Sequence, residues 1–349
     1  MNSRRIGALA LRIAMQFRRD RRTLAMLIVM PVLLLLVFGY AASFDVETIP
    51  TVVVGPGAEQ LADRLPEVFD VVRTDAAGSR ETAEHALVAA DAHVAFVAGE
   101  GAVTALVDGS ELFMAQMAVQ VLTEMSSQVP ALTHEVLFNP DLDTSAVLVP
   151  GLAGLIIVFV GTLVTSMSVV REREAGTLEQ LAVMPFRPAD IFIGKIAPYF
   201  AIAAIDIVVV LAVGTILFDV PFNGSPLPLI AGAVLFLFVA LGVGILISSI
   251  SENQAQAIQL ALMTLLPQVM LSGIIFPLSS MAPGVRWIGY LLPLTYFNVV
   301  AKGVMLRAAS LGDLLLPLGL LGLLGAVIFG LAVLRFARQL RPAGSGVAV

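Results

Sequence analysis

Long apolar runs separated by short polar breaks make up most of the chain, and a bilayer core of ~30 Å takes about 20 apolar residues in helix. Five runs have that length: Leu24–Phe44, Val147–Val170, Ile191–Phe218, Leu227–Ile250 and Ala257–Phe276. A sixth, Leu314–Phe336, follows a connection (277–313) that is too apolar for an exposed loop and too broken for a span. The pattern predicts an α-helical integral membrane protein with six transmembrane helices. The apolar core of the first run is too long for a secretory signal, and no small-residue cleavage site follows it. It therefore reads as a retained span.

Between the first two runs the period changes. Across residues 45–145, short β-branched runs alternate with polar helical stretches. Thr51–Val54, Phe69–Arg73, Val94–Val97 and Val103–Val107 read as strands, and Glu59–Glu67, Ser79–Ala90 and Ser110–Val129 as helices. This predicts a small α/β domain of about 100 residues, enough for a core of its own. Gly55-Pro56-Gly57 lacks the third glycine of a nucleotide loop, since Gln60 stands there, and reads as a plain turn. Ahead of the first span, in residues 1–23, Ile6, Leu9, Ile13 and Phe17 recur at helical spacing. Arg5, Arg12, Gln16 and Arg19 lie mostly opposite. This is an amphipathic helix for the inner headgroup layer, or an ordinary basic anchor at the same surface.

Composition agrees with a bilayer. Hydrophobic residues are 58% and charged residues 13%, against about 25% charged in a soluble domain. The placement of charge sets the orientation. Residues 1–23, the loop 171–195 and the stretch from Arg335 at the end of the sixth span into the tail together hold fourteen of the twenty Lys and Arg. The inserted domain holds only Arg64, Arg73 and Arg80 against seventeen acidic residues. Six spans then put both termini (tail 337–349) in the cytoplasm and the α/β domain outside, as in a bacterial-type inner membrane.

Several chemistries are missing. There is no cysteine, and the two lysines, Lys195 and Lys302, precede Ile196 and Gly303 rather than Ser or Thr, so no P-loop is present. His85, His93 and His134 all fall in the inserted domain and read as solvated residues. His134-Glu135 begins like a zinc-protease helix, but Phe138 stands where the second histidine is needed, so no metal site is expected. Nothing points to an enzyme, to a cofactor in this chain, or to nucleic acid.

The loop after the second run carries the densest signal: Arg171-Glu172-Arg173-Glu174-Ala175-Gly176-Thr177-Leu178-Glu179-Gln180-Leu181, then Met184-Pro185 and Ile193-Gly194-Lys195. Gly176 allows a break, Thr177 with Gln180 makes a capping box, and Pro185 stops a helix of about two turns. A docking element and a plain interfacial connector are both compatible with that. Inside the third run Asp206 lies ~22 Å from Ile191 at 1.5 Å per residue. A carboxyl at that depth faces protein or a water-filled path, so either a translocation path or a bonded structural role fits; Gln268, beside Pro267, lies at similar depth. Gly232, Gly242 and Gly244 suit close helix packing.

The Arg-Glu-Arg-Glu-x-Gly-Thr-Leu-Glu-x-Leu run with Pro185 and Gly194-Lys195 resembles the signature of ABC type-2 exporter permeases. Gly273 to Leu278, Met281-Ala282-Pro283 and Leu292-Pro293-Leu294-Thr295-Tyr296 resemble that family's last outer segment, which forms short helices dipping back before the final span. Val107-Asp108-Gly109-Ser110 resembles a piece of the subgroup with a large extracytoplasmic domain after the first span. The resemblance implies a permease subunit working in a pair, with a second copy or a related permease, each docked to an ABC ATPase that holds ATP and Mg. It implies a coupling helix, Thr177–Met184, in which Glu172, Glu174, Gly176, Thr177, Glu179 and Lys195 meet or relay the ATPase. Lys195 would pair with a carboxylate or with lipid phosphate. Lys302 stands where the family pattern suggests arginine, a departure expected to matter little. The cargo implied is a hydrophobic or amphipathic drug, antibiotic or lipid moved outward. The alternative is a non-transporting membrane sensor or scaffold whose outer domain binds a ligand.

Overall fold

The computed structural model describes residues 48–99, 101–129, 131–176 and 188–339, together with Val32. The expected amphipathic helix, nearly all of the first span, the helix Thr177–Met184 and residues 340–349 lie outside the described residues.

Strands β1 (Ile49–Val54), β2 (Phe69–Asp75), β3 (Val94–Ala98), β4 (Val103–Asp108) and β5 (Leu132–Leu137) form one sheet in the order β2-β1-β3-β4-β5. Only the β3–β4 pairing is antiparallel. Helices α1 (Ala58–Ala62), α2 (Arg80–Val88) and α3 (Leu112–Gln128) connect them. Alternation along the strands divides the core in two. Val53, Phe96 and Val107 pack under Met114, Ala118 and Leu122 of α3, while Val52, Ala95 and Leu106 pack under Ala83, Ala86 and Leu87 of α2. The expected helix 59–67 shortens to α1 because Pro66 disfavours helix at the residue before it. β5 was not anticipated: its Thr133-His134-Glu135 is exposed at the sheet edge and shows no apolar alternation. His134-Glu135 therefore sits on a strand rather than opening a helix.

The helical part begins with α4 (Thr144–Glu174), α-helical except for a π-helical stretch at Phe159–Val164. It continues with α5 (Pro188–Leu217), α6 (Pro226–Ile250) and α7 (Gln254–Leu271). A short 3₁₀ turn at Leu278–Ser280 leads to α8 (Pro283–Gly289), α9 (Pro293–Met305) and α10 (Leu315–Gln339). Among the described residues four helices are long and apolar enough to cross a membrane: α4, α5 over Ala197–Leu217, α6, and α10 over Leu315–Arg335. The stretch expected as the fifth span forms α7, which stops at Leu271 rather than Phe276 and is not one of those four. Gln254, Gln256, Gln259 and Gln268 make it more polar than those four.

α6 is the centre of the helical part. Ser225 caps it, its hydroxyl accepting the Leu227 N–H at 3.4 Å, and Pro226 supplies a first-turn residue that needs no donor. The helix holds no charged residue and packs against α4, α5, α7, α9 and α10. Its three glycines face three different neighbours. A Cβ at Gly232 would come 3.0 Å from Val300 of α9, and one at Gly242 would come 3.0 Å from Ile328 of α10. At Gly244 it would come 2.8 Å from the Thr162 carbonyl oxygen of α4. There the two backbones approach closely enough for the Thr162 hydroxyl to donate to the Ala240 carbonyl at 3.2 Å.

Within the broken segment 277–313, α9 is interior, while Trp287, Tyr290, Leu291 and Leu311 are exposed. Leu294, Phe297, Val300, Ala301, Val304 and Met305 of α9 are fully buried, and the Phe297 ring stacks on Phe236 of α6 at 4.8 Å. Irregular backbone in an apolar chain survives where protein covers it. The α/β module sits on the end of α9 and the start of α4. Leu112 and Phe138 pack on Ala146, Val147 and Leu306. Buried Asn139 bridges the Gly109 carbonyl to the Asp143 backbone.

Candidate functional site

The densest run of charge in the described residues closes α4. That helix ends because Gly176 takes φ +71°, a left-handed conformation that suits glycine one place past a helix end. The Ala175 N–H returns to the Arg171 carbonyl at 2.9 Å and the Gly176 N–H to the Arg173 carbonyl at 3.1 Å. The side chains of this last turn then reach sideways onto the turn between α6 and α7. Arg173 Nη1 donates to the Ser251 carbonyl at 2.8 Å. Glu174 accepts the Gln254 backbone N–H at 3.1 Å and, with its other oxygen, the Gln254 side-chain amide. The turn is itself firmly built. Asn253 Oδ1 accepts the Gln256 N–H at 2.9 Å to start α7, and the Gln256 side chain accepts the Glu252 N–H at 2.9 Å. Charge-assisted bonds of this kind are the stronger ones, and three of them tie the end of α4 to the α6–α7 connection.

Of the residues singled out from sequence, Glu174 and Gly176 build this clamp, and Glu172 lies half-buried next to it. Arg173, Ser251 and Gln254 were not singled out. The signal for them was weak, a polar Ser-Glu-Asn-Gln stretch between two apolar runs. Thr177, Glu179 and the side chain of Lys195 lie outside the described residues. Asp206 is half-buried on α5, with Ile202 and Val209, one turn to either side, both exposed. It stands at the border of an apolar outer face, and among the described residues its carboxyl has no hydrogen-bond partner. Gln268 is buried in α7, its amide nitrogen donating to the Thr264 carbonyl at 3.4 Å while its oxygen is unpaired.

A second polar cluster joins the α/β module to α9. Asp108, at the end of β4, is fully buried. Its Oδ1 accepts the Ser110 N–H at 2.9 Å, and its Oδ2 lies 3.3 Å from His93 Nδ1 and 3.8 Å from Arg307 Nη1. Beside it Lys302 Nζ meets Glu111 Oε1 at 2.9 Å, the lysine side chain 2% exposed and the glutamate 20%. Two sequence readings are corrected here. His93 is packed against Asp108 at hydrogen-bond distance rather than solvated, unlike exposed His85 and His134. Lys302 is buried in an inter-element ion pair, a role the sequence reading did not give it. The clue was present: Lys302 and Arg307 sit in an apolar segment without adjacent acids, and buried cations require partners.

Burial pushes the Asp108 carboxyl up, but the His93 hydrogen bond, the Arg307 charge and the Ser110 N–H outweigh it and hold the group below its ordinary value. A depressed carboxylate contributes stability above the unfolded pKa of about 3.8. That contribution is lost as pH falls through the folded value. Thermal unfolding followed from pH 7 down to 3 should show the wild-type midpoint dropping below about pH 4. Asp108→Asn should lack this component. An identical acid profile in the variant would remove Asp108 from the account.

The profile described as ABC-2 family transporter protein matches residues 21–334. The chain is 36% identical over 174 residues to "Probable multidrug ABC transporter permease YbhR" of Escherichia coli (strain K12), covering 50% of this chain and 47% of that protein. To "Probable multidrug ABC transporter permease YbhS" of the same strain it is 34% identical over 205 residues, 58% of this chain and 54% of the other. "Inner membrane transport permease YhhJ", from that strain too, is 32% identical over 220 residues, 62% and 58% respectively. The chain thus spans about half the length of the curated relatives it matches.

Proposed function

The chain belongs to the ABC-2 family of transporter proteins, and from that premise we propose that it is the membrane permease subunit of an ATP-driven exporter. ATP hydrolysis belongs to a separate ABC ATPase, and two permeases, identical or related, form the membrane unit. The observation that carries this reading is the Arg173–Glu174 clamp. It gives the stretch after Gly176, the family's coupling element, a mechanical link to three helices at once. A push on that stretch by a closing ATPase reaches α4 through the chain, and reaches α6 and α7 through Ser251 and Gln254. Glu174 thereby acts as a relay inside the permease, leaving Glu172, Thr177, Glu179 and Lys195 as the residues for the ATPase and the membrane surface. The charge distribution supports placing this end, with both termini, in the cytoplasm of a bacterial-type inner membrane, the α/β module outside, and six spans in all. The few intramembrane charges suit a hydrophobic or amphipathic cargo, in keeping with the multidrug permease names of the relatives.

Co-purification with the candidate ATPase in nanodiscs, reading ATP turnover, tests this. A stable complex is expected. Glu174→Ala loses hydrogen bonds at an exposed site, about 0.5–1 kcal/mol, and should lower permease-dependent ATP turnover about two- to fivefold. Gly176→Pro should act more strongly, since proline cannot take φ +71°. Failure to recover any ATPase, or turnover indifferent to both variants, would defeat the proposal.

A further inference from the structure

A groove of about 280 Å³ runs between α5 and α6. Ala204, Ile207, Val208 and Leu211 form one wall, α6 from Pro226 to Leu237 forms the other, and Phe222 closes one end. Every lining residue is apolar. Val208 is 66% exposed and Ile230 56%, so the groove is open along its side. At 1.5 Å per residue the walls run about 10 Å on α5 and 16 Å on α6. That is close to half of a ~30 Å hydrocarbon core. The groove starts at the connection between α5 and α6, which is tied to the end of α9. There the Asn223 and Gly224 N–H groups donate to the Met305 and Val304 carbonyls at 3.0 and 2.9 Å. The groove thus spans one leaflet, on the side of the α/β module.

A charge stands in the same connection. Asp219, exposed and three residues before Phe222, follows the end of α5 with φ +50°. The next N–H, of Val220, returns to the Gly214 carbonyl at 3.2 Å and fixes the turn. A carboxylate here adds to the negative end of the α5 dipole, where cations are favoured. Among the described residues no cation pairs with it. Lys302 and Arg307, in and just beyond α9, are engaged by Glu111 and Asp108.

We propose that the groove and Asp219 together bind one amine-bearing phospholipid of the phosphatidylethanolamine type, its tail between α5 and α6 and its ammonium on Asp219. In a bilayer no water fills an apolar groove, and an empty one forfeits dispersion contacts along both walls. The volume takes on the order of nine carbon-sized units at the ~30 Å³ of a liquid water, strung over the depth of one leaflet. A strip so narrow admits a lipid tail but not a helix of a second copy, which is about 10–12 Å across. Lipid tails are as apolar as the walls, so the groove sets position and the headgroup sets selectivity. An ammonium meets the carboxylate with three donors. A choline group has none to give, and an anionic headgroup is repelled. The site rests only on the chain's place in a bilayer and is independent of the ATPase and of the direction of transport.

The test uses the full chain, delipidated in detergent and titrated with tail-matched phosphatidylethanolamine, phosphatidylcholine and phosphatidylglycerol, bound lipid being counted by native mass spectrometry. One phosphatidylethanolamine should be retained, about two- to fivefold more tightly than phosphatidylglycerol, the yield of an exposed charge pair. Asp219→Asn should erase that preference at an unchanged thermal midpoint, since asparagine also accepts a positive φ. Ala204→Phe, which fills the groove, should weaken all three lipids alike, and Val234→Phe repeats the test if Ala204→Phe does not fold. No retained lipid, equal affinity for the ethanolamine and glycerol lipids, a preference that survives Asp219→Asn, or unchanged binding in folded groove-filled variants would each overturn the assignment.

Discussion

Asp108→Ala should destabilise the protein by about 3–5 kcal/mol, the range for removing one partner of a buried ion pair. Asp108 is fully buried, and the Arg307 side chain facing it is 3% exposed. Removing the carboxylate leaves the guanidinium in the interior with its Nε already unpaired. It also strands the Ser110 N–H, which Asp108 Oδ1 accepts. The loss should concentrate where the module meets α9. Trp287, the single tryptophan, lies in α8 just ahead of α9 and reports on that region by fluorescence. The informative comparison is a cycle with Arg307→Met. Once both charges are gone the penalty for an unpaired ion disappears, so Asp108→Leu with Arg307→Met should recover more than half of the loss. Additive losses in the double variant would mean that the pair is not coupled.

Gly244→Ile should be nearly as severe, for a different reason. A Cβ there would sit 2.8 Å from the Thr162 carbonyl oxygen and 2.9 Å from Thr165 Cβ. The first obstacle is backbone, which cannot rotate aside. α4 and α6 would have to separate, losing the Thr162–Ala240 hydrogen bond and the packing around it. Overpacking costs about 1–3 kcal/mol where side chains can yield, and this site belongs at or above the top of that range. Gly330→Ala in α10 is the control. Nothing lies within 4 Å of its added Cβ, so the thermal midpoint should hold or rise slightly. Equal midpoints for the two variants would refute the close-approach account.

What the sequence disclosed, and what it concealed, divides by the range of the interaction involved. Apolar length located α4, α5, α6 and α10, because crossing a bilayer is a local demand on one run of residues. Short β-branched runs located β1 to β4, but that signal failed for β5. This edge strand buries Leu132 and packs Val136 and Leu137, but its middle, Thr133-His134-Glu135, is exposed and polar, so no apolar run marks it. Gly176 was legible because a helix end needs a residue tolerant of positive φ. The clamp was only half legible. Glu174 is conspicuous, whereas its partner Gln254 lies 80 positions away and looks like ordinary loop. The cluster at Asp108 was opaque for the same reason: Glu111 and Lys302 are separated by 191 positions. Composition shows that Lys302 and Arg307 lack nearby acids but cannot say which acids answer them. His93 was misjudged because its partner Asp108 lies 15 positions away on a neighbouring strand.

The π-helical stretch Phe159–Val164 sets the angular phase of α4. In an α-helix each residue turns the chain by about 100°, and a π bulge absorbs extra residue within the helix without ending it. The two ends of α4 therefore do not share one continuous winding. The N-terminal end is keyed to the α/β module through Asn139 and Asp143. The C-terminal end is keyed to Ser251 and Gln254. Between them Gly161 and Thr162, inside the bulge, are pressed onto α6. Re-forming this stretch as regular helix with one residue fewer would rotate Arg173 and Glu174 by roughly 100° off their turn while leaving the N-terminal end in register. The bulge thus works as an indexing joint: it lets a single rod satisfy two docking angles, and it is the place where one end can be re-timed against the other.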